Sequence, residues 1–371
     1  MKIVFVSSCK LPSDTANSIQ VMKVCQAFHQ LGHAVTLLVP GPQPGEVDLL
    51  GHYGLQASFA VEWLPLRGRR TFPWQAVRRA RSLQADLLYA WPIQSAVLAP
   101  LLGIPAMLEM HDFPAGRFGP HWFRLFLTLP GRKRLLPITR ALQVALERKY
   151  RPMAGGQVVI SPDGVDLERY ARLPEPAAAR QRLGLPQSPS VLCTGHLYAG
   201  RGADLFLVLA SRFPQVSFVW VGGRPEDVDR WRAEAAQKHL DNVLFTGFQT
   251  HDRIPLYQAA ADVLLMPYGR SISGSSGGDI AGVYSPMKMF EYLASGRSIL
   301  TSDLPVLREV LDESTAEFAA PNDPESWCVA LAGLLGDAER RKAIGRNARQ
   351  AAQKYTWIER ARRALDGFLD R

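Results

Sequence analysis

Cysteine is scarce in this chain. Cys9, Cys25, Cys193 and Cys328 are the four in 371 residues, with no Cys-x-x-Cys spacing and no histidine pair beside them. That excludes the usual zinc-site spacings. A chain this long needs no disulfide framework either, so a reducing cytosol is the expected compartment. Long hydrophobic runs are also missing: the apolar stretches are short and broken by Pro or Arg, which excludes a membrane-spanning helix. Met1-Lys2 leads into Ile3-Val4-Phe5-Val6 with no leader-type cleavage pattern, so the N-terminus is expected to enter the fold directly. No Gly-x-Gly-x-x-Gly follows that run, which argues against a dehydrogenase.

What is present points to two domains. The length exceeds what one hydrophobic core usually supports. Strand-like runs at Ile3–Ser7, Ala34–Val39, Asp86–Ala90, Ala106–Glu109 and Val158–Ile160 alternate with helix-length segments in the first half. The alternation restarts with Val191–Thr194, Phe218–Val221, Val243–Thr246, Val263–Met266 and Ile299–Thr301. Such alternation is the pattern of parallel α/β sheets. A Pro-bearing stretch from Pro174 to Pro189 lies between the halves and includes a short helix, Ala177–Leu183. Charge divides unevenly: residues 1–185 carry 22 Lys/Arg against 12 Asp/Glu, a net +10, and residues 186–371 carry 21 against 22, a net −1. The basic clusters are Arg67-Gly68-Arg69-Arg70, Arg78-Arg79-Ala80-Arg81 and Arg132-Lys133-Arg134. Basic surfaces attract nucleic acid, anionic lipid or phosphorylated substrates. No aromatic-basic recognition motif accompanies the charge, so nucleic acid is not an expected partner.

The most informative stretch is Tyr284-Ser285-Pro286-Met287-Lys288-Met289-Phe290-Glu291, ending at Gly296-Arg297 and preceded by a Gly/Ser-rich loop closing on Asp279. Ser285 suits an N-cap, Pro286 the first helical turn and Gly296 the stop. Free backbone N–H groups at such a start, with the dipole's positive end and Lys288, suit a diphosphate. Glu291, one turn beyond Met287, suits paired sugar hydroxyls, while Met287, Phe290 and Leu293 share an apolar face.

With Ser298–Pro305 and Arg308-Glu309-Val310 after it, this block resembles the donor-site signature of family 4 retaining glycosyltransferases. The resemblance implies the GT-B fold: two doubly wound Rossmann-like α/β domains facing each other across a cleft, with the last helix crossing back to the first. The expected domains are 1–175, with 357–371 packed on it at Ala361, Leu365 and Leu369, and a donor-binding domain at 186–356. The family's carboxylate eight residues before Glu291 is replaced by Val283, with Asp279 as the candidate substitute. The loop Gly195-His196-Leu197-Tyr198-Ala199-Gly200-Arg201-Gly202 is similar to the family's Gly-Arg…Lys-Gly loop, with His196 and Arg201 in the cation positions. Arg201 is a sound replacement because guanidinium binds phosphate bidentately and stays charged. His196 is a weaker cation near neutral pH.

His111, in Glu109-Met110-His111-Asp112, matches the family's active-site histidine, and Asp112 orients it or caps the next turn. The loop after the first strand offers Thr15, Ala16 and Asn17 on the acceptor side, where an N-cap role for Asn17 or Ser18 is equally open. The Thr246-Gly247-Phe248 segment implies base contacts near Phe248. The implied activity is retaining transfer of a sugar from a UDP- or GDP-sugar to an acceptor hydroxyl, with Arg201, Lys288 and His111 in the catalytic machinery. It needs no metal and no cofactor beyond the nucleotide-sugar co-substrate. The competing reading is a catalytically weakened nucleotide-sugar binding subunit. A helix from about residue 120 bearing Trp122, Phe123, Phe126 and Leu129, beside basic residues, adds an anionic membrane surface and a lipid-linked or envelope-polysaccharide acceptor to the expectations.

Overall fold

Runs of Val, Leu and Ile without a polar alternate are buried on both faces only when helices cover a parallel sheet. The structure, a computed structural model that describes residues 1–65, 71–272 and 279–368, contains two such sheets. The first holds β1 (Lys2–Val6), β2 (Ala34–Pro40), β3 (Ala60–Leu64), β4 (Leu87–Ala90), β5 (Ala106–Met110) and β6 (Lys133–Pro137) in the order β3-β2-β1-β4-β5-β6. The second holds β7 (Ser190–Thr194), β8 (Ser217–Val221), β9 (Val243–Gly247), β10 (Val263–Met266), β11 (Ser298–Ser302) and β12 (Glu317–Ala319) in the order β12-β11-β10-β7-β8-β9. All pairings are parallel. Each sheet reverses its direction of growth once, between β1 and β4 and between β7 and β10. Loops leaving the carboxyl ends at such a reversal open the crevice in which doubly wound sheets hold ligands.

The chain divides into two compact units, Met1–Asp163 with Trp357–Arg371, and Gly164–Thr356. The contacts divide earlier than residue 175, and the interdomain stretch groups with the second unit. Val165 N–H donates to Tyr355 O at 2.9 Å, and Arg349 donates to Tyr170 O at 2.8 Å. On the helix Pro176–Leu183, Arg180 pairs with Asp262 at 2.9 Å.

Three strands, β3, β6 and β12, were not expected, and the expected strand Val158–Ile160 is reduced to a single bridge beside Leu135. β6 opens with Lys133 and Arg134, which read as a surface cluster but are buried. Lys133 donates to the carbonyls of Phe126 and Leu129, ending the helix Gly119–Thr128. Arg134 donates to Ala364 O and Asp366 O, both at 2.7 Å, and so closes the terminal helix Trp357–Leu365. These two cations therefore contribute to packing, not to a basic surface. The cluster Arg67–Arg70 and the residue Leu369 lie outside the described residues.

The first unit's core stacks Phe5 on Tyr89, ring centroids 4.6 Å apart, with Phe28 edge-on to both. Trp357, Arg360, Ala361 and Ala364 are the buried residues of the terminal helix, which packs on the helix Ala16–Gln30. In the helix Gly119–Thr128 the buried residues are Phe123, Phe126 and Leu127; Trp122 and Leu129 are half-buried, and Leu125 and the preceding Phe118 are exposed. Among the described residues no helix is long and apolar enough to cross a membrane.

Candidate functional site

In the second unit, Gly195, His196, Arg201, Tyr284, Lys288 and Glu291 gather around the carboxyl ends of β7 and β10, where the sheet reverses, whereas no contact joins Phe248 or Asp279 to them among the described residues. Gly195 follows β7 at φ +120°, and its carbonyl accepts a 2.9 Å hydrogen bond from Trp220 Nε1. A Cβ there would lie 3.4 Å from Lys288 Cε and Nζ, so glycine keeps the lysine's approach clear. Arg201 sits between two glycines that no other residue could replace in place. A Cβ on Gly200 would fall 2.0 Å from Ser271 O, and one on Gly202 would fall 1.9 Å from Pro267 O. Both glycines also have φ near +80°. The loop is thereby pressed onto the segment after β10, and Arg201 lies over the rings of Tyr268 and Tyr284 at 5.3 and 5.9 Å.

Lys288 Nζ lies 5.2 Å from the Tyr268 ring centre, 5.9 Å from that of Trp220 and 3.6 Å from Cys193 Sγ. Burial raises the Cys193 pKa against the pull of Lys288, so the thiol does not neutralise the lysine. Among the described residues neither Arg201 nor Lys288 has a carboxylate partner. The buried hydroxyls of Tyr268 and Tyr284 have no hydrogen-bond partner there either. Two cations framed by π faces and orphan hydroxyls form a site chemically suited to a polyanion with acceptor oxygens.

The helix that follows runs Met287–Ser295, with Pro286 at its N-cap in extended backbone and Gly296 at φ +67° closing it. Ser285 thus precedes the cap, a shift of one position from the expectation. Met289 is buried with Phe290 and Leu293, while Met287 is half-buried, so the apolar face is rotated towards Met289. Glu291 Oε2 accepts from Gln258 Nε2 at 3.2 Å. Burial raises the Glu291 pKa, with Arg169, Gln258 and Lys288 opposing. His196 stacks on Tyr198 with centroids 4.9 Å apart, and burial, then Arg224 and Arg201, lower its pKa; the ring is neutral at pH 7. Asp279 accepts through Oδ1 from Ile272 N–H at 3.0 Å and Ala281 N–H at 2.9 Å, which lower its pKa and tie Ile272 to Ala281. Residues 273–278 lie outside the described residues. Val283 is buried. Phe248 follows β9 and is 53% exposed.

In the first unit, Thr15, not Asn17 or Ser18, stands at the N-cap of the helix Ala16–Gln30 in extended backbone, and Thr15, Ala16 and Asn17 are exposed. Ser18 Oγ donates back to Thr15 O at 2.8 Å, fixing this helix start. His111 follows β5. Its Nε2 lies 2.7 Å from Glu109 Oε1, and its ring packs 4.7 Å from Trp91. Asp112 instead accepts from Phe113 N–H at 2.7 Å, so it caps the turn and Glu109 orients the imidazole. Around Glu109 stand Gln20, Tyr89 and Arg360, which sequence reasoning missed, and Asp163, whose segment Ser161–Asp166 resembles the family's Pro-Asn-Gly-Val-Asp signature but otherwise suggests only a turn before the linker. The signal was there: a glutamate inside an otherwise apolar strand, and an arginine on the apolar face of the terminal helix. The expectation that the chain has no Asp-x-Asp triplet is wrong: Asp227-Val228-Asp229 is one, and it lies in the first turns of the helix Pro225–Gln237, where Asp229 faces Arg232 at 3.6 Å. No group of three His, Cys, Asp or Glu able to hold a metal occurs among the described residues.

Residues 188–337 match the family model for glycosyl transferases group 1, and residues 18–169 match that for glycosyltransferase family 4. The chain is 29% identical over 214 residues to a GDP-mannose-dependent alpha-(1-6)-phosphatidylinositol monomannoside mannosyltransferase of Mycolicibacterium smegmatis, covering 55% of this chain and 54% of that one. It is 27% identical over 317 residues to a 2-deoxystreptamine N-acetyl-D-glucosaminyltransferase of Streptomyces fradiae, covering 80% and 71%. The chain spans about half the length of the first curated relatives it matches. In fold it is similar to Anabaena HepE in complex with UDP and glucose, with a TM-score of 0.74 at 17% identity over 99% of this chain and 98% of that one.

Proposed function

The chain belongs to glycosyltransferase family 4, and from that premise we propose that it transfers a sugar, with retention of anomeric configuration, from a nucleotide-diphosphate sugar to an acceptor hydroxyl. One observation carries the reading: among the described residues, Arg201 and Lys288 are cations without a carboxylate partner, set among the unpartnered hydroxyls of Tyr268 and Tyr284. In this scheme they and the first amides of the helix Met287–Ser295 hold the diphosphate, with Ser285 and Pro286 shaping the approach. Glu291 takes the ribose hydroxyls and the Phe248 loop the base. The acceptor oxygen bonds to the anomeric carbon as the bond from that carbon to the diphosphate breaks. The acceptor's proton passes to the leaving diphosphate, whose growing charge Arg201 and Lys288 stabilise. His111 serves the reacting sugar, and Thr15–Asn17 serve the acceptor. Neither a metal ion nor a resident cofactor enters the scheme.

A GDP-sugar donor is supported by the mycobacterial relative and a UDP-sugar by the Anabaena structure. We place the acceptor among lipid-linked or envelope-polysaccharide sugars at the cytosolic face of a membrane. Exposed Phe118 and Leu125 beside Arg117 and Arg124, and exposed Trp74 beside Arg78, support that placement. A second reading, a nucleotide-sugar binding subunit with weakened catalysis, is favoured by Val283 in place of a carboxylate and by the neutral His196.

A thermal-shift panel of UDP, GDP, ADP and TDP, followed by turnover of the matching nucleotide-sugar, tests both. A bound nucleotide at 100 times its Kd stabilises by about 2.7 kcal/mol, so the right base stands out. A shift without turnover selects the binding subunit, and no shift with any nucleotide at millimolar concentration overturns the donor site.

A further inference from the structure

Glu109 is fully buried and gathers four partners, all within the first unit. Its Oε1 lies 2.7 Å from Gln20 Nε2, 2.7 Å from His111 Nε2 and 2.8 Å from an Arg360 guanidinium nitrogen. Its Oε2 accepts from Tyr89 OH. Arg360 is itself buried and is held by Pro162 O at 2.9 Å, Tyr89 OH at 3.1 Å and Ser161 O at 3.3 Å. Burial works to raise the Glu109 pKa, but the charge of Arg360, then His111 and Tyr89, bring it well below the ordinary carboxylate range. Glu109 is therefore an anion throughout the physiological range.

The 2.7 Å contact between His111 Nε2 and Glu109 Oε1 is too bent to form a good hydrogen bond, but two lone pairs repel at that distance, so the ring nitrogen nearest the carboxylate carries the hydrogen. We propose that Arg360 is a positioning residue, which acts through Glu109 to hold the His111 imidazole in its Nε2–H form and leave Nδ1 as the nitrogen presented to substrate. Trp91, packed against the ring, restricts its rotation. This rests on the reading of His111 as the group that serves the reacting sugar. What it adds is the tautomer, and a residue of the terminal helix that determines it without touching substrate. The chemical basis is that without Arg360 the buried Glu109 takes a proton, becomes a donor as well as an acceptor, and stops selecting one tautomer.

The tautomer is read directly by nitrogen-15 NMR of the imidazoles in the full chain, with His111→Gln assigning the signal. The wild type is expected to show the Nε2–H form alone. Arg360→Met is expected to give a mixture, and Arg360→Lys, which keeps a cation, to restore one form. Should Arg360→Met fail to fold, the Glu109→Met/Arg360→Met pair removes both charges at little volume cost and is expected to give the same mixture. Turnover of UDP-glucose and GDP-mannose supplies the second readout. In the variants with mixed tautomers kcat is expected to fall by up to about a hundredfold, with KM for the donor unchanged. One unchanged tautomer across the variants overturns the proposal, and so does a mixed tautomer with unchanged kcat. A wild type that binds nucleotide but turns over no nucleotide-sugar sinks the transferase reading alone, since the tautomer remains measurable without it.

Discussion

In the first unit the buried cations have partners: Arg360 faces Glu109, while Lys133 and Arg134 cap helix carbonyls. In the second, Arg201 and Lys288 face aromatic rings, a neutral thiol and hydroxyls that have no hydrogen-bond partner among the described residues. Yet the first half of the chain has a net charge of +10 and the second of −1. The difference teaches that net charge does not locate an anion site. A site for an anion is marked by cations denied their counter-ions, and denial is a local arrangement that a nearly neutral domain supports as well as a basic one.

The contrast breaks most visibly under substitution of the two kinds of cation. Arg360→Ala leaves the buried Glu109 without its cation, and is expected to lower unfolding free energy by about 3–5 kcal/mol. Lys288→Met leaves no carboxylate stranded and is expected to leave stability unchanged or to raise it. Urea unfolding of both variants checks this; an equal loss in Lys288→Met would erase the distinction between the units.

Asp163 sharpens the first unit's side of the comparison. It is an acid close to Glu109 whose pKa burial raises to about 6, with the charges of His111 and Arg360 opposing. The folded chain then keeps a proton that the unfolded chain releases near 3.8, the ordinary value. Stability falls as pH rises through that window and is level above it, by at most about 3 kcal/mol. Asp163→Asn removes this dependence, so its stability relative to wild type should climb between pH 4 and 6 and then stay constant. A relative stability that is flat across the window would show that Asp163 is ionised throughout.

In the second unit the expected losses are in binding. Lys288→Ala and Glu291→Ala should each weaken nucleotide-sugar affinity by about 1.5–3 kcal/mol, the scale of a charged hydrogen bond. Isothermal titration with the nucleotide found by thermal shift measures it, and undiminished affinity in both would remove these residues from the donor site.

That Arg201 and Lys288 belong to one cluster was legible from short segments together with the family resemblance. Gly200 and Gly202 flank Arg201, and Ser-Pro-x-Lys-x-x-Glu combines a helix start with its cation and carboxylate. Both sheets were legible in outline from apolar runs. Strand β6 was not, because Lys133 and Arg134 resemble solvated charge until the carbonyls they cap are in place. Nor was the network around His111, whose partner Arg360 lies 251 positions later in the chain (360 less 109 from Glu109) and meets it only through tertiary packing. The aromatic frame of Arg201 and Lys288 was hidden likewise, since Tyr268 and Trp220 come from different strand ends.

The return of the chain to its first unit has a consequence for synthesis. Between Asp163 and Trp357 lie 193 residues, 164 to 356, all belonging to the other unit. At about 5–20 residues per second a ribosome needs about 10–40 s to cross them. For that interval Glu109 exists without Arg360, and the carbonyls that Arg134 caps have not been made. The unit that emerges first is the one whose interior is completed last, and the contiguous unit has every residue it needs before the first can close.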